Sequence, residues 1–231
     1  IEPYILAYHW TEAAEPARAA EWWLRAGIKS MQRSMMSDAV VQMNLGLGLV
    51  AQLEPGEASR LLEINLLVAL GKALIASKGH AAPVVGETFA RAHAQSRHVT
   101  SITALPTIVF CEWTHALLRA ELDRADECAA ELTQLSETSN DPVLRVIAHF
   151  ATGVSRLPRG DFSGSIAEVG RGLATFDPAI RERYSALVIG DARVVMRTYL
   201  ARARLCIGDM DGCERCASDG ILEARRLGHV Y

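Results

Sequence analysis

Two cysteines near the end of the sequence have the spacing of a redox or metal-binding motif. Cys213 and Cys216 form a Cys-x-x-Cys pair, which can be redox-active or supply half of a zinc site. A full zinc site needs two more ligands, and the candidates are Cys206, seven residues before the pair, and His229, thirteen residues after it. The alternative is that Cys213 fills a small position in a helical repeat, because free cysteine behaves as a small hydrophobic residue. We predict that packing role, with no metal and no cofactor.

Seven histidines are spread along the chain, and they can act as ligands or bases only where folding brings two of them together. The candidate pairs are His93 with His98 and His115 with His149. Nothing in the helical pattern requires either pair to meet. We therefore predict surface histidines or hydrogen-bonded core histidines at these positions.

Glycine-rich segments lack the context of a phosphate-binding loop. Gly46-Leu47-Gly48 and the segment 160–164 do not follow a predicted strand, and the sequence contains no G-x-x-x-x-G-K-[ST]. Helix packing explains the first segment and a turn between helices explains the second. We predict no catalytic residue and no enzyme activity in this chain. An enzyme with its site in a helical cleft stays a less favoured alternative.

Arginines are concentrated near the end of the chain, where an acidic peptide or a phosphate is one conceivable ligand. The alternative is a solvated face paired with Glu182, Asp191 and other nearby acids, which is the ordinary role of such a cluster. We predict the paired face. The residues concerned are Arg181, Arg183, Arg193, Arg197, Arg202 and Arg204.

The composition of the 231 residues excludes several classes of partner. The net charge is -3, which favours neither nucleic acid nor an anionic membrane. No segment approaches the ~20 apolar residues of a membrane span. Five cysteines, an odd number, fit reduced thiols in the cytoplasm. The chain opens with Ile1, and we expect it to be a piece of a longer protein.

The segment 145–177 is typical of two helices joined by a turn. Apolar and small residues recur at helical spacing in each half, and the sequence LPRGD at 157–161 interrupts them. The unit is about 34 residues long, the length of a tetratricopeptide (TPR) unit, and such a hairpin must stack on neighbours to bury its apolar faces. The same phase recurs elsewhere, since Ala125, Ser165 and Cys213 each lie five residues after the start of a predicted turn.

The repeat predicts an all-α fold: a right-handed α-solenoid of antiparallel helix hairpins, with ten or more helices and no sheet. We expect a single TPR-like domain over 1–231. Its predicted hairpins cover about 3–33, 37–79, 83–98 with a flanking helix, 103–137, 142–177 and 191–227.

Four stretches of the sequence resemble a helical-repeat region found in bacterial multidomain signalling proteins. They are YILAYHWTEAAEPARAAEWWLRAGIKSMQRS, LVALGKALIASKGHAAPVV, RGDFSGSIAEVGRGLATFDP and ARARLCIGDMDG with EARRLGH. In that family an adenylate/guanylate cyclase domain or a winged-helix regulator comes first, and a signal-transducing ATPase precedes the TPR-like region. The resemblance implies a regulatory or sensory interaction module. No catalytic residue carries over, because the family's catalytic residues belong to the other domains.

In a tetratricopeptide stack the first helix of each hairpin lines the concave surface, and the phase of the repeat indicates which side chains point there. This stripe is mostly apolar, so we expect a groove for an amphipathic helix or apolar peptide, from a protein partner or from the parent protein's adjacent domains. The alternatives are that the stripe is core, or that the chain is a structural spacer or self-association segment. The predicted groove residues are Thr107, Phe110, Thr114, Leu117, Ile147, Phe150, Val154, Leu157, Val195, Thr198, Arg202 and Leu205.

Overall fold

A computed structural model describes residues 1–100, 102–185, 187–188 and 190–228. Within these ranges the chain forms twelve α-helices and two short 3₁₀ turns, and no strand. The helices are α1 (Pro3–Glu12), α2 (Pro16–Gln32), α3 (Met36–Val50), α4 (Glu57–Lys78), α5 (Pro83–Ser96), α6 (Leu105–Leu118), α7 (Leu122–Ser139), α8 (Pro142–Arg156), α9 (Phe162–Thr175), α10 (Arg181–Tyr184), α11 (Ala192–Cys206) and α12 (Met210–Leu227). The chain divides into two compact units, Ile1–Arg119 and Ala120–Tyr231.

The first unit contains α1 to α6, in which consecutive helices pack against each other. Small residues on one helix receive large side chains from the next. A Cβ atom added to Gly71 on α4 would lie 2.4 Å from the Phe89 ring, and one added to Gly27 on α2 would lie 2.4 Å from Met43. Both large side chains are fully buried. The glycines therefore set how closely neighbouring helices approach.

The second unit contains α7 to α12 and follows the same packing scheme. Gly153 on α8 lies against Val169 on α9, where a Cβ atom would come within 2.7 Å of the valine side chain. The connection between α9 and α11 contains the short helix α10, and ion pairs fix it. Arg181 donates to Asp191, at the start of α11, and to Glu223 on α12, and both carboxylates are largely buried.

Seven connections between helices contain a residue with positive φ at the same position. In each of them, a left-handed residue lies one position before the N-cap of the next helix. The φ angles of these residues lie between 51° and 84°. This conformation reverses the chain in a few residues, and glycine adopts it without a steric cost. The seven residues are Ala14, Ser34, Ala120, Asn140, Gly160, Gly190 and Gly208.

Two of these turns share a side-chain cap as well. Asp161 accepts hydrogen bonds from the Gly164 backbone N–H at 2.9 Å and from Arg156 at 2.8 Å. Asp209 stands in the same relation to Gly212 and Arg204. A carboxylate at a helix N-cap satisfies a backbone donor that has no partner within the helix. The repeated turn therefore ends one helix and starts the next.

The all-α fold of antiparallel helix pairs agrees with the prediction from the sequence. The boundary between the two compact units falls between Arg119 and Ala120, inside the hairpin predicted for 103–137. The predicted single repeat domain with its six hairpins stays a prediction. In the part of the chain that the structure describes, no helix is both long enough and apolar enough to span a bilayer.

Candidate functional site

The middle of the predicted groove is buried within this chain. Five of the twelve residues are at most 7% exposed, and a residue so buried contacts its own chain rather than a partner. In the second unit the Phe150 ring meets the Tyr199 ring of α11 edge to face, with centroids 5.5 Å apart. The five residues are Phe110, Ile147, Phe150, Val154 and Leu157.

The remaining seven predicted residues reach the surface to different extents. Four are partly buried: Thr107, Thr114, Leu117 and Val195. Three on α11 are exposed, namely Thr198, Arg202 and Leu205, and Leu205 is 51% exposed. Only this α11 segment presents a continuous accessible stripe of the predicted type. Whether it binds a partner stays a prediction.

A polar cleft of about 480 Å³ lies on the second unit, between α7, α8 and α9. We call it the α7–α9 cleft. One stripe of side chains from each helix lines it, with spacings of three or four residues that place them on one face. The lining residues are Thr133, Ser136, Glu137, Arg145, Ala148, His149, Thr152, Glu168 and Arg171.

Glu168 occupies the floor of this cleft and uses both carboxylate oxygens. Nδ1 of His149 donates to one oxygen at 2.9 Å, and Arg171 donates to the other at 2.5 Å. The Glu168 side chain is 15% exposed, whereas that of Arg171 is 62% exposed. The carboxylate therefore orients an imidazole and a guanidinium that both line the cleft.

The hydroxyl groups of the α7–α9 cleft are already committed as donors. Thr133 donates to the Ala129 carbonyl at 2.9 Å, and Ser136 donates to the Thr133 carbonyl at 2.7 Å. Because a hydroxyl has one proton and two lone pairs, these two oxygens keep only acceptor capacity. Thr152 lies 3.5 Å from Thr133 and is consequently the donor of that weak contact.

The imidazole–carboxylate pair has the form of a general base with its orienting acid, but the rest of a catalytic site is missing from the described residues. A nucleophile would have to donate to His149, and the hydroxyl protons of Thr133 and Ser136 point to backbone carbonyls instead. The cleft walls are helix interiors, whose backbone N–H groups are already bonded and cannot form an oxyanion hole. The geometry suits binding better than catalysis.

A second, smaller cleft of about 330 Å³ lies on the first unit, at the ends of α1, α2 and α3. Glu2 closes one side of it by pairing with Lys29 at 3.0 Å and with Arg33 at 3.1 Å. Hydrogen bonds from these two cations lower the pKa of the Glu2 carboxyl. Lys29 and Arg33 are therefore already paired with a carboxylate of this chain.

The cysteine motif is not assembled into a site among the described residues. Cys213 and Cys216 are partly buried free thiols, Cys206 is exposed, and His229 lies outside the described residues. No cluster of three or more possible metal ligands occurs among the residues that the structure describes. Cys213 is less buried than Ala125 and Ser165, because later helices pack on α7 and α9 whereas α12 is the last helix described.

Three histidines of the two candidate pairs, His93, His115 and His149, make hydrogen bonds with other residues rather than with each other's rings. His93 pairs with Glu112 at 2.6 Å in the core, and Nδ1 of His115 donates to the His80 carbonyl at 2.8 Å. His98 is exposed. Burial, and secondarily the nearby His115, lower the pKa of the His80 imidazole. The prediction of surface or hydrogen-bonded histidines agrees with these positions.

Five of the six arginines in the cluster, all except Arg202, form the predicted ion pairs among the described residues, but part of the cluster is more buried than a solvated face. The partners are Asp191 and Glu223 for Arg181, Asp141 for Arg183 and Asp219 for Arg197. Burial alone would raise the pKa of Glu223, yet the hydrogen bond from Arg181 and the charges of nearby arginines leave it lowered. The cluster holds the connection between α9 and α11 in place.

The sequence patterns did not predict the α7–α9 cleft, although the spacing between histidine and glutamate residues could have indicated it. His93 precedes Glu112 by nineteen residues, and His149 precedes Glu168 by the same interval. Such a separation matches two side chains that face each other across a helix hairpin. The presence of a histidine or a glutamate does not by itself indicate a cleft, because both residue types are common on solvated helix faces.

Comparisons with known proteins identify the fold. No protein-family profile matches the chain, and no curated protein matches it. Among solved structures, the chain is similar to BtubC (BKLC) from P. vanneervenii, with a TM-score of 0.70 and 14% identity over 100% of this chain and 88% of that one. It is also similar to a putative kinesin light chain with nearly identical TPR-like repeats from Podosopora anserina, with a TM-score of 0.68 and 12% identity over 92% of this chain and 97% of that one. This chain therefore has a TPR-like helical-repeat fold.

Proposed function

We propose that this chain is a non-catalytic protein-interaction module, the regulatory or sensory repeat region of a bacterial signalling protein resembling adenylate cyclase/ATPase regulators. The observation that carries the proposal is the TPR-like repeat fold, which is typically used to bind proteins. The sequence resemblance to the repeat region of those regulators supports the signalling role. The partner is a protein or peptide, including the parent protein's own adjacent domains.

The accessible surfaces support an interaction role over catalysis. The α11 stripe of Thr198, Arg202 and Leu205 combines apolar and polar exposed groups, as protein-binding surfaces do. In the α7–α9 cleft, the titratable side chains of His149 and Glu168 bond to each other rather than to a nucleophile. The proposal accordingly expects no turnover of ATP by the purified chain.

The coding sequence that flanks this chain tests the signalling role directly. A neighbouring ATPase domain with a P-loop in the same reading frame supports the proposal, and its absence there contradicts it. A photo-crosslinking residue placed at exposed Thr198 then tests contact with those neighbouring domains, purified separately. The matched control carries the same crosslinker at Ala90, an exposed position on α5. Equal yields from both positions would count against an interaction surface on α11.

A structural spacer or self-association segment is the second candidate function. Exposed apolar side chains on α1 and α12, such as Tyr8 and Leu222, favour association between copies. Light scattering over a range of concentrations separates the two candidates. A mass that stays at one chain of 25.1 kDa contradicts self-association.

A further inference from the structure

The α7–α9 cleft places hydrogen-bond acceptors and donors on opposite walls. Thr133 on α7 offers only lone pairs, because its proton is donated to its own helix. Arg145 on α8 and Arg171 on α9 offer guanidinium N–H groups from the other walls. An extended peptide presents the complementary pair, a backbone N–H and an acidic side chain.

The two arginines keep donor capacity after their contacts within the chain. Arg171 makes one hydrogen bond, to Glu168, and Arg145 donates to the Asn140 side chain at 2.9 Å. A guanidinium carries five N–H donors in a planar fork that matches a carboxylate. Both arginines are exposed, so the remaining donors are accessible from solvent.

The balance of charges in the cleft favours a singly charged anion over a doubly charged one as the ligand. Arg145 and Arg171 contribute two positive charges, and Glu137 and Glu168 contribute two negative ones. Glu168 is satisfied by His149 and Arg171, whereas Glu137 is exposed on the α7 rim. A phosphate, with nearly two negative charges, would meet that rim carboxylate with more repulsion than a single carboxylate does.

We propose that the α7–α9 cleft binds an extended peptide segment of a protein partner through one carboxylate side chain. Arg145 and Arg171 hold the carboxylate, and the hydroxyl oxygen of Thr133 accepts a backbone N–H group of the peptide. Glu168 is a positioning residue that orients Arg171. This inference rests on the proposed interaction function and names the chemistry that one of its surfaces recognises.

The test is a titration of the ¹⁵N-labelled 231-residue chain, followed by amide chemical shifts, with N-acetyl-glutamate N-methylamide as the probe. Shifts should concentrate on the residues that line the cleft. The uncharged glutamine analogue should bind about tenfold more weakly or worse, the usual effect of losing a charge-assisted hydrogen bond. Equal binding of the two probes, or shifts centred elsewhere, would overturn the proposal.

Variants assign the contact to named residues. Arg171→Gln and Arg145→Gln should each weaken glutamate binding about tenfold, whereas Arg225→Gln, an exposed arginine on α12, should leave it unchanged. Glu168→Gln should weaken it as well, while a spectrum with unchanged dispersion shows that the fold is intact. Inorganic phosphate binding more tightly than the glutamate probe contradicts the single-carboxylate ligand. If these variants bind the glutamate probe as tightly as the unchanged chain does, while Thr198 still crosslinks to the neighbouring domains, this inference is refuted and the proposed function stands.

Discussion

Nδ1 of His149 lies 2.9 Å from a carboxylate oxygen of Glu168, and His93 stands in the same relation to Glu112 at 2.6 Å. Each pair joins two consecutive helices across nineteen residues, once in each compact unit. The first pair is accessible and lines the α7–α9 cleft, whereas the second is buried. The same contact therefore lines an open cleft in one unit and lies in the core of the other.

This difference in burial predicts different costs for removing the carboxylate. Glu112→Ala leaves a polar histidine without this partner in the core, and we expect it to lower the free energy of unfolding by about 3 kcal/mol. Glu168→Ala exposes its partners to water, and we expect a loss of about 1 kcal/mol or less. Urea denaturation of the two variants measures both values. A larger loss for Glu168→Ala would show that exposure does not decide the cost.

Substitutions in the predicted groove distinguish a binding stripe from core. Phe110 and Phe150 are 6% and 4% exposed, so Phe110→Asp and Phe150→Asp should each destabilise their own unit by at least about 4 kcal/mol. Leu205→Asp, at the exposed end of the same predicted groove, should change stability by less than about 0.5 kcal/mol. Thermal denaturation followed by circular dichroism makes the comparison. If the Phe150→Asp variant folds and unfolds cooperatively, this part of α8 is an open surface rather than core.

The left-handed turns predict a stabilising substitution. Ala14 has φ 56°, a conformation that costs an L-residue with a Cβ about 1–2 kcal/mol and glycine almost nothing. Ala14→Gly should raise the free energy of unfolding by about 0.5–1 kcal/mol, after the greater entropy of glycine in the unfolded chain is subtracted. Ala90→Gly, on the exposed face of α5, is the matched control and should lower it by about 1 kcal/mol. Destabilisation by both changes would mean that the turn imposes no strain.

The capped turns predict a loss of stability in acid. Hydrogen bonds from the Gly164 backbone N–H and then from Arg156 lower the pKa of Asp161, and Gly212 and Arg204 do the same for Asp209. Below the ordinary value of 3.8 the unfolded chain binds more protons at these sites than the folded chain does. Their contribution is therefore present above pH 3.8 and is lost as the pH falls from that value through the lowered pKa of the folded chain.

The variant Asp161→Asn with Asp209→Asn tests this dependence, because asparagine still caps a helix but does not titrate. Its melting temperature should lie below that of the unchanged chain at neutral pH. The gap should narrow as the pH falls below about 4, where the aspartates become protonated. A gap that stays constant from neutral pH to about pH 3 would rule out the two carboxylates as the cause.

Local preferences along the chain were enough to predict the helices and the turns between them. Asp161 and Asp209 cap helices, and Gly160 and Gly208 adopt the left-handed conformation, because these preferences depend on a few adjacent residues. Apolar residues at 3.6-residue spacing predicted which segments form helices, and antiparallel pairing followed from the short connections between them. These local rules were sufficient for the all-α repeat fold.

Which helix faces are covered depends on contacts between distant segments and could not be predicted from local patterns. Ile147, Phe150 and Val154 form an apolar stripe that suits a groove and a core equally well in the sequence. In the structure Phe150 meets Tyr199 of α11, forty-nine residues later in the chain. Likewise, the position of Glu168 between His149 and Arg171 depends on how α8 and α9 are turned against each other. Helix rotation and stacking arise from contacts between distant segments, which the periodicity of one helix does not specify.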